Sequence, residues 1–179
     1  DFIKEVHYQL GLDSHSNSKA ELLVILNNRL LENMSKGRST LLIIDEAQLI
    51  FGETFEEIRL LLNFQMNDRF LMTFLLIGQP ELRDMIRGYK QLDQRIAIRY
   101  HLNPLSQEET AKYIRFRLGK AGGNRELFTE KAYEAVFQYS GGIPRKINNV
   151  CDLSLLIGFS LKVKEIDEQL VMKVVKDSL

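Results

Sequence analysis

The chain has 179 residues, of which 45% are hydrophobic and 27% are charged, a composition typical of a globular protein. Its 24 basic residues balance its 24 acidic residues, so the net charge indicates no nucleic-acid partner, and binding of that kind would need a local basic patch. The single cysteine excludes a disulfide framework within the chain and favours a reducing compartment.

The first part of the chain alternates helical and strand patterns. The spacing of apolar residues predicts helices over residues 1–12, 18–37 and 54–62. Residues 40–45 and 72–78 are continuous apolar runs, which are typical of strands buried on both faces of a parallel sheet. Residues 96–102 alternate in polarity and predict a third strand. Strands and helices in this order indicate an α/β fold with a parallel sheet.

The pattern after Pro104 is helical throughout. Ser106 and Glu109 form a predicted capping box, Thr129 is placed to begin a second helix, and Pro144 stands in the first turn of a third. A last helix is predicted over about residues 167–176. We therefore expect an α/β part over residues 1–103 and an all-helical part over residues 104–179.

Two adjacent carboxylates, Asp45 and Glu46, end the first apolar run. Ligands of open α/β sheets bind at the carboxyl ends of the strands. There Asp45 can hold Mg²⁺, usually through water, and Glu46 can orient and polarise an attacking water. The plainer interpretation is a strand that ends in polar residues before a helix. The three histidines are scattered, and no His–Cys spacing typical of a metal site occurs.

Three further residues are weaker candidates. Gln79 follows the second apolar run and can reach the same water or a terminal phosphate, although a Gly-Gln-Pro turn also explains it. Arg95 can stabilise phosphate charge, or can be a surface arginine that pairs with Asp93. Arg145 follows Gly-Gly-Ile-Pro at a helix start, where a cation is unfavourable unless an anion accompanies it. A solvated arginine is the alternative there.

Taken together and in this order, the segments resemble a known family. IIDEAQ, IGQPELR, QRIAIRYHLNPLSQEET and YSGGIPRKIN are similar to AAA+ ATPases, and more narrowly to the general secretion pathway protein A type, which includes MSHA-type pilus-biogenesis ATPases. The resemblance covers almost the whole chain. It implies a partial P-loop NTPase sheet followed by a helical lid.

The resemblance also implies roles for the five candidate residues. Asp45 and Glu46 match the Walker B pair, with Asp45 on the metal and Glu46 catalytic. Gln79 matches the first sensor, Arg95 falls where such proteins place an arginine finger, and Arg145 matches the second sensor, in the lid.

The implied cofactors are ATP and Mg²⁺, but the phosphate-binding loop is missing from this sequence. No G-x-x-x-x-G-K-[ST] motif occurs among the eleven glycines. In the family that loop precedes the segments seen here. We therefore expect a fragment that does not hydrolyse ATP alone and has no micromolar affinity for it.

The function implied for the intact protein is ATP hydrolysis that drives assembly or remodelling in a secretion or pilus system. The implied partners are further copies of the chain and assembly proteins at the inner membrane, with the ATPase in the cytoplasm or on the cytoplasmic face of that membrane. Two alternatives remain open. A transposition-type ATPase linked to DNA is less favoured because no basic stripe is visible, and a non-catalytic interaction module would retain the fold alone.

The sheet order of the family, 5-1-4-3-2, implies an open sheet in this chain. Strands 1 and 2 would be absent, so the predicted third strand would lose its neighbour. Since apolar edge strands pair readily with other chains, we expect either self-association through the sheet or a third strand that has shifted onto the second.

Overall fold

The structure is a computed structural model that describes residues 2–12, 15–16, 18–50, 52–122 and 127–178. The chain divides into two compact units, Asp1–Arg99 and Tyr100–Leu179. The boundary between them falls close to residue 103, where the sequence pattern becomes wholly helical.

The first unit contains a parallel strand pair, a short hairpin and five helices among its described residues. In chain order these elements are α1 (Phe2–Gln9), α2 (Lys19–Ser35), β1 (Thr40–Ile44), a 3-10 turn (Ala47–Leu49), α3 (Gly52–Leu61), β2 (Gln65–Met66), β3 (Arg69–Phe70), β4 (Met72–Leu76), α4 (Glu81–Gly88) and α5 (Lys90–Asp93).

Strands β1 and β4 pair in parallel, from Thr40 opposite Met72 to Ile44 opposite Leu76. The pairing continues past both strands, because the Ile77 amide donates to the Ile44 carbonyl at 2.9 Å. The two apolar runs found in the sequence therefore end side by side, at the same edge of the sheet.

The two faces of this sheet differ in burial, because side chains alternate along a strand. One face packs on the helices of the unit, where Leu42 and Phe74 contact the cluster around Leu26 and Leu30. The opposite face, here called the outer sheet face, is formed by Leu41, Ile43, Leu75 and Ile77, which are 43–55% exposed. The prediction of strands buried on both faces is wrong for the described residues, because helices cover only one face.

The predicted third strand is not observed as a strand. Residues 96–102 form no ladder within the described part of the chain. Ile98, Tyr100 and Leu102 are each more than 80% exposed, whereas Ile96 packs against the first unit's core. The alternating pattern is present, but a strand also needs a neighbour to accept and donate its backbone hydrogen bonds.

The second unit is all-helical within its described residues, as the sequence predicts. Its helices are α6 (Gln107–Lys120), α7 (Glu130–Ser140), α8 (Pro144–Ser160) and α9 (Glu168–Ser178). The capping box of Ser106 and Glu109 is complete, and the Thr129 hydroxyl accepts from the Ala132 amide at 3.2 Å. These caps satisfy amides that the first helical turn leaves unpaired.

The core of the second unit is apolar and well covered. Tyr133, Val136, Ile147, Val150 and Val171 are at most 1% exposed. None of the helices described in residues 2–122 and 127–178 is long and apolar enough to span a bilayer.

Candidate functional site

Polar side chains from both parallel strands meet at the carboxyl edge of the sheet. Asp45 and Glu46 directly follow β1, and Gln79 lies three residues beyond the end of β4. The Ala47 amide donates to the Ile77 carbonyl at 2.8 Å, which holds the two strand extensions together. The structure thus brings together three of the five residues that the sequence nominates.

Glu46 has an unusual backbone conformation. Its φ of 51° and ψ of 37° lie in the left-handed region, which costs a residue with a Cβ about 1–2 kcal/mol. The backbone amide of Glu46 donates to the Asp45 carboxylate at 2.8 Å. The chain therefore turns sharply at the end of β1, and both carboxylates stay exposed to solvent.

The side-chain amide of Gln48 links the two strand ends. Its Nε2 donates to Oε2 of Glu46 at 2.6 Å, and its Oε1 accepts from the backbone amide of Gln79 at 3.0 Å. Gln48 lies in the 3-10 turn after β1 and is half-buried, unlike the exposed residues that it joins. Sequence reasoning did not single out Gln48, although it is the last residue of the IIDEAQ segment.

Gly78 provides the space for this amide. A Cβ at position 78 would lie 2.6 Å from Gln48 Oε1 and 3.0 Å from Leu82 Cδ2. The residue before Gln79 must therefore be small for the amide of Gln48 to reach the second strand end. The glycine of the IGQPELR segment has this packing role in addition to allowing a turn.

Gln79 is held by the start of α4. Its carbonyl accepts from the Leu82 amide at 3.0 Å, and its side chain is exposed. The Gln79 side chain is therefore exposed at the sheet edge, on the strand end next to that of Asp45 and Glu46.

Arg95 lies away from this edge. Its guanidinium Nη1 donates to the Leu62 carbonyl at 3.3 Å. Leu62 follows α3, and the Phe64 carbonyl accepts from the Leu71 amide just before β4 begins. Arg95 is therefore near the start of β4, whereas Glu46 and Gln79 lie at the strand ends. Within the first unit it does not join the other candidates, and Asp93 pairs with Arg99 at 2.7 Å instead of with Arg95.

Arg145 is the second residue of α8, in the second unit. Gly141 and Gly142 before it have φ angles of 57° and 75°, and Pro144 occupies the first helical position. The Arg145 side chain is exposed. The local structure thus presents a cation to solvent at a helix N-terminus, as the sequence predicts.

The carboxylate pair fits Mg²⁺ only in part. Among the described residues no group of three or more His, Cys, Asp or Glu side chains could enclose a metal ion. Magnesium needs no such enclosure, because it is commonly bound by one or two carboxylates, several waters and substrate phosphates. Asp45, exposed at a sheet edge, suits that open arrangement, in which phosphates complete the coordination.

Comparison with known proteins shows what the chain is similar to. Residues 1–86 match the family model described as AAA domain. Over 155 residues the chain is 41% identical to General secretion pathway protein A of Aeromonas hydrophila, a match that covers 86% of this chain and 28% of that protein. It is also 29% identical over 153 residues to the uncharacterized HTH-type transcriptional regulator MJ0774 of Methanocaldococcus jannaschii, covering 83% of this chain and 36% of that protein.

The same fold occurs among solved structures. A RuvB mutant of Thermotoga maritima superposes with a TM-score of 0.62 at 17% sequence identity, covering 84% of this chain and 49% of that one. At this identity the likeness concerns the fold alone, which is that of a P-loop AAA+ protein: part of the parallel sheet, followed by helices. The chain spans about a third of the length of the curated relatives that it matches.

Proposed function

Because this chain belongs to the AAA domain ATPases of the general secretion pathway protein A type, we propose that the protein hydrolyses ATP to drive assembly or remodelling in a secretion or pilus-biogenesis system. The observation that carries the proposal is the meeting of Asp45, Glu46 and Gln79 at one edge of a parallel strand pair. ATPases of this kind act mainly by positioning groups and stabilising charge.

Each residue has a distinct part in the proposed reaction. Mg²⁺, when bound with ATP, neutralises charge on the phosphates, and Asp45 would hold it through water. Glu46 orients the attacking water and accepts its proton. Gln79 donates from its side-chain amide to the terminal phosphate or to the same water. Arg145, exposed at the start of α8, is the proposed second sensor.

The experiment is the substitution Glu46→Gln in a protein that contains these residues together with a phosphate-binding loop. Reading the gene on both sides of this coding region would show whether such a loop is encoded there. Loss of a general base lowers turnover by about 10²–10⁴-fold, and the amide is isosteric, so ATP should still bind. Glu53→Gln, on the exposed side of α3, is the matched control. Unchanged ATP turnover in Glu46→Gln would remove Glu46 from the mechanism.

We further propose that Arg95 acts on the nucleotide of a neighbouring copy in a homo-oligomer. Its position near the start of β4, away from Glu46 in the same chain, supports a role between subunits. Such an arginine contributes about 10³–10⁵ in rate. A mixture of the Arg95→Ala and Glu46→Gln proteins should regain activity at interfaces that contain one copy of each. The control variant Arg87→Ala should have wild-type activity by itself. Failure of every mixture, with assembly intact, would argue against the role in trans.

The proposed site of action is the cytoplasmic face of the inner membrane, with secretion or pilus assembly proteins as partners. The name of the Aeromonas hydrophila relative supports the secretion role alone. Fractionation of cells, with this chain detected in the inner-membrane and soluble fractions, tests it directly.

A nucleic-acid-linked ATPase is the second candidate, supported by the name of the Methanocaldococcus jannaschii relative, an HTH-type transcriptional regulator. The balanced charge of this chain counts against it. A steep loss of duplex-DNA affinity between low and physiological salt would favour this candidate over the secretion role.

A further inference from the structure

We infer that Gln48 is a positioning residue for Glu46, and that its side-chain amide couples the Glu46 carboxylate to the strand end that carries Gln79. The inference rests on the proposed ATPase function, in which Glu46 activates water. It adds to that function a residue that the family match and the sequence motifs leave without a role.

The Gln48 side-chain amide makes one hydrogen bond with its donor end and one with its acceptor end. An amide side chain has a donor end and an acceptor end, and here the N–H points to the Glu46 carboxylate at 2.6 Å while the oxygen receives the Gln79 amide at 3.0 Å. A hydrogen bond to a charged group is stronger than one between neutral groups, so this donor restricts where the carboxylate can turn.

The position of Glu46 makes such restraint necessary. Its side chain is exposed, and its backbone is in the left-handed region directly after β1. Within the described residues, the Gln48 amide is the side-chain hydrogen-bond partner of its carboxylate. A general base must stay within about 2.6–3.2 Å of the proton that it accepts, so an unrestrained carboxylate would lose rate.

The surroundings of Gln48 are shaped for this role. Its oxygen occupies the space that Gly78 leaves by lacking a Cβ. The Gln48 oxygen accepts from the Gln79 backbone amide, and the Gln48 nitrogen donates to the Glu46 carboxylate. A shift of the Gln79 backbone would therefore move Gln48, and with it the Glu46 carboxylate. A group bound at Gln79 is therefore linked mechanically to the orientation of the catalytic base.

The variant Gln48→Glu separates the two bonds. An introduced carboxylate still accepts from the Gln79 amide, but it cannot donate to Glu46 and repels it. In a protein that contains these residues together with a phosphate-binding loop, we expect kcat to fall by about 10–100-fold, the scale known for residues that orient metal ligands, with the Kd for ATP unchanged. Gly78→Ala, which displaces the amide, should give a similar loss, whereas Gln91→Ala and Gly88→Ala should not.

A double-mutant cycle shows whether Gln48 acts through Glu46. In the Glu46→Gln background, Gln48→Glu should lower kcat no further, because the group that it positions is already gone. An equal factor in both backgrounds, or an unchanged kcat in Gln48→Glu alone, would overturn the inference. Unchanged turnover in Glu46→Gln by itself would instead remove Glu46 from the proposed mechanism, so the two failures are distinguishable.

The contact can also be measured in the 179-residue chain without any activity. Hydrogen exchange of the Gln79 amide, followed by NMR, should be faster in Gln48→Ala, which lacks the acceptor, and nearly unchanged in Gln48→Glu. Identical exchange in all three proteins would show that Gln48 does not bridge the strand ends.

Discussion

Substitution of Gly142 by alanine should destabilise the helical unit severely. Gly142 has a φ of 75°, and an added Cβ would lie 1.9 Å from the carbonyl oxygen of Leu105 and under 3 Å from its carbonyl carbon and amide nitrogen. Since backbone rather than a flexible side chain is in the way, the segment that begins the unit must move. The hydrogen bond from the Leu105 amide to the Gly142 carbonyl, 2.9 Å long, would be lost with it.

The expected cost follows from these contributions. The left-handed conformation costs alanine about 1–2 kcal/mol, and a lost hydrogen bond costs about 0.5–1.5 kcal/mol net. The backbone movement needed to relieve the clash adds to both costs, so we expect the free energy of unfolding to fall by about 3 kcal/mol or more. Gly141 is the matched control, because it has a φ of 57° but no heavy atom within 4 Å of its added Cβ. Gly141→Ala should cost only about 1–2 kcal/mol.

Urea unfolding followed by circular dichroism at 222 nm would give the two free energies of unfolding. Because the chain has two compact units, hydrogen exchange of peptides from residues 127–160 should accompany it and assign the loss to the helical unit. Equal destabilisation by Gly141→Ala and Gly142→Ala would show that the close approach of Leu105 does not constrain this position.

Three further results are expected. Burial, and to a lesser degree the Asp152 carboxylate, raises the pKa of the Cys151 thiol to about 12. An alkylating reagent at pH 8 should therefore modify Cys151 only after the chain is unfolded by urea. Rapid modification of the native chain would contradict this. The hydrogen bond from the Ser106 amide holds the pKa of Glu109 below its ordinary value. The Glu109 carboxylate therefore stabilises the folded chain above its unfolded pKa, and this contribution is lost as pH falls through the folded pKa. The small difference in unfolding free energy between the wild type and Glu109→Gln should disappear in acid. Self-association through the open edges of the β1–β4 pair should weaken in Thr73→Pro, which removes a backbone N–H from β4, as measured by sedimentation velocity; equal sedimentation of both proteins would locate the contact elsewhere.

Local patterns were sufficient to predict most elements and the family. The apolar runs before Asp45 and Gln79 end where strands end, and the capping residues of the second unit start its helices as expected. These features depend on residues close in sequence, through backbone propensity and hydrogen bonds within one turn. The hairpin β2–β3 was not predicted, although Asn67 and Asp68, which adopt positive φ in its tight turn, are residue types that favour such turns.

The sequence by itself thus determined that the chain has a parallel sheet with an acidic strand end, a helical second part and AAA-type motifs in order. Only the tertiary structure decided which neighbours each segment has. It left residues 96–102 without a strand partner, left Leu41 and Ile43 exposed on the outer sheet face, and placed Arg95 near Leu62 instead of near Glu46. It also brought Gln48 into hydrogen-bond contact with Gln79, 31 residues away in sequence. Periodicity states which side of an element is apolar, but burial and hydrogen bonding depend on what packs against that side, and this information lies in distant parts of the chain.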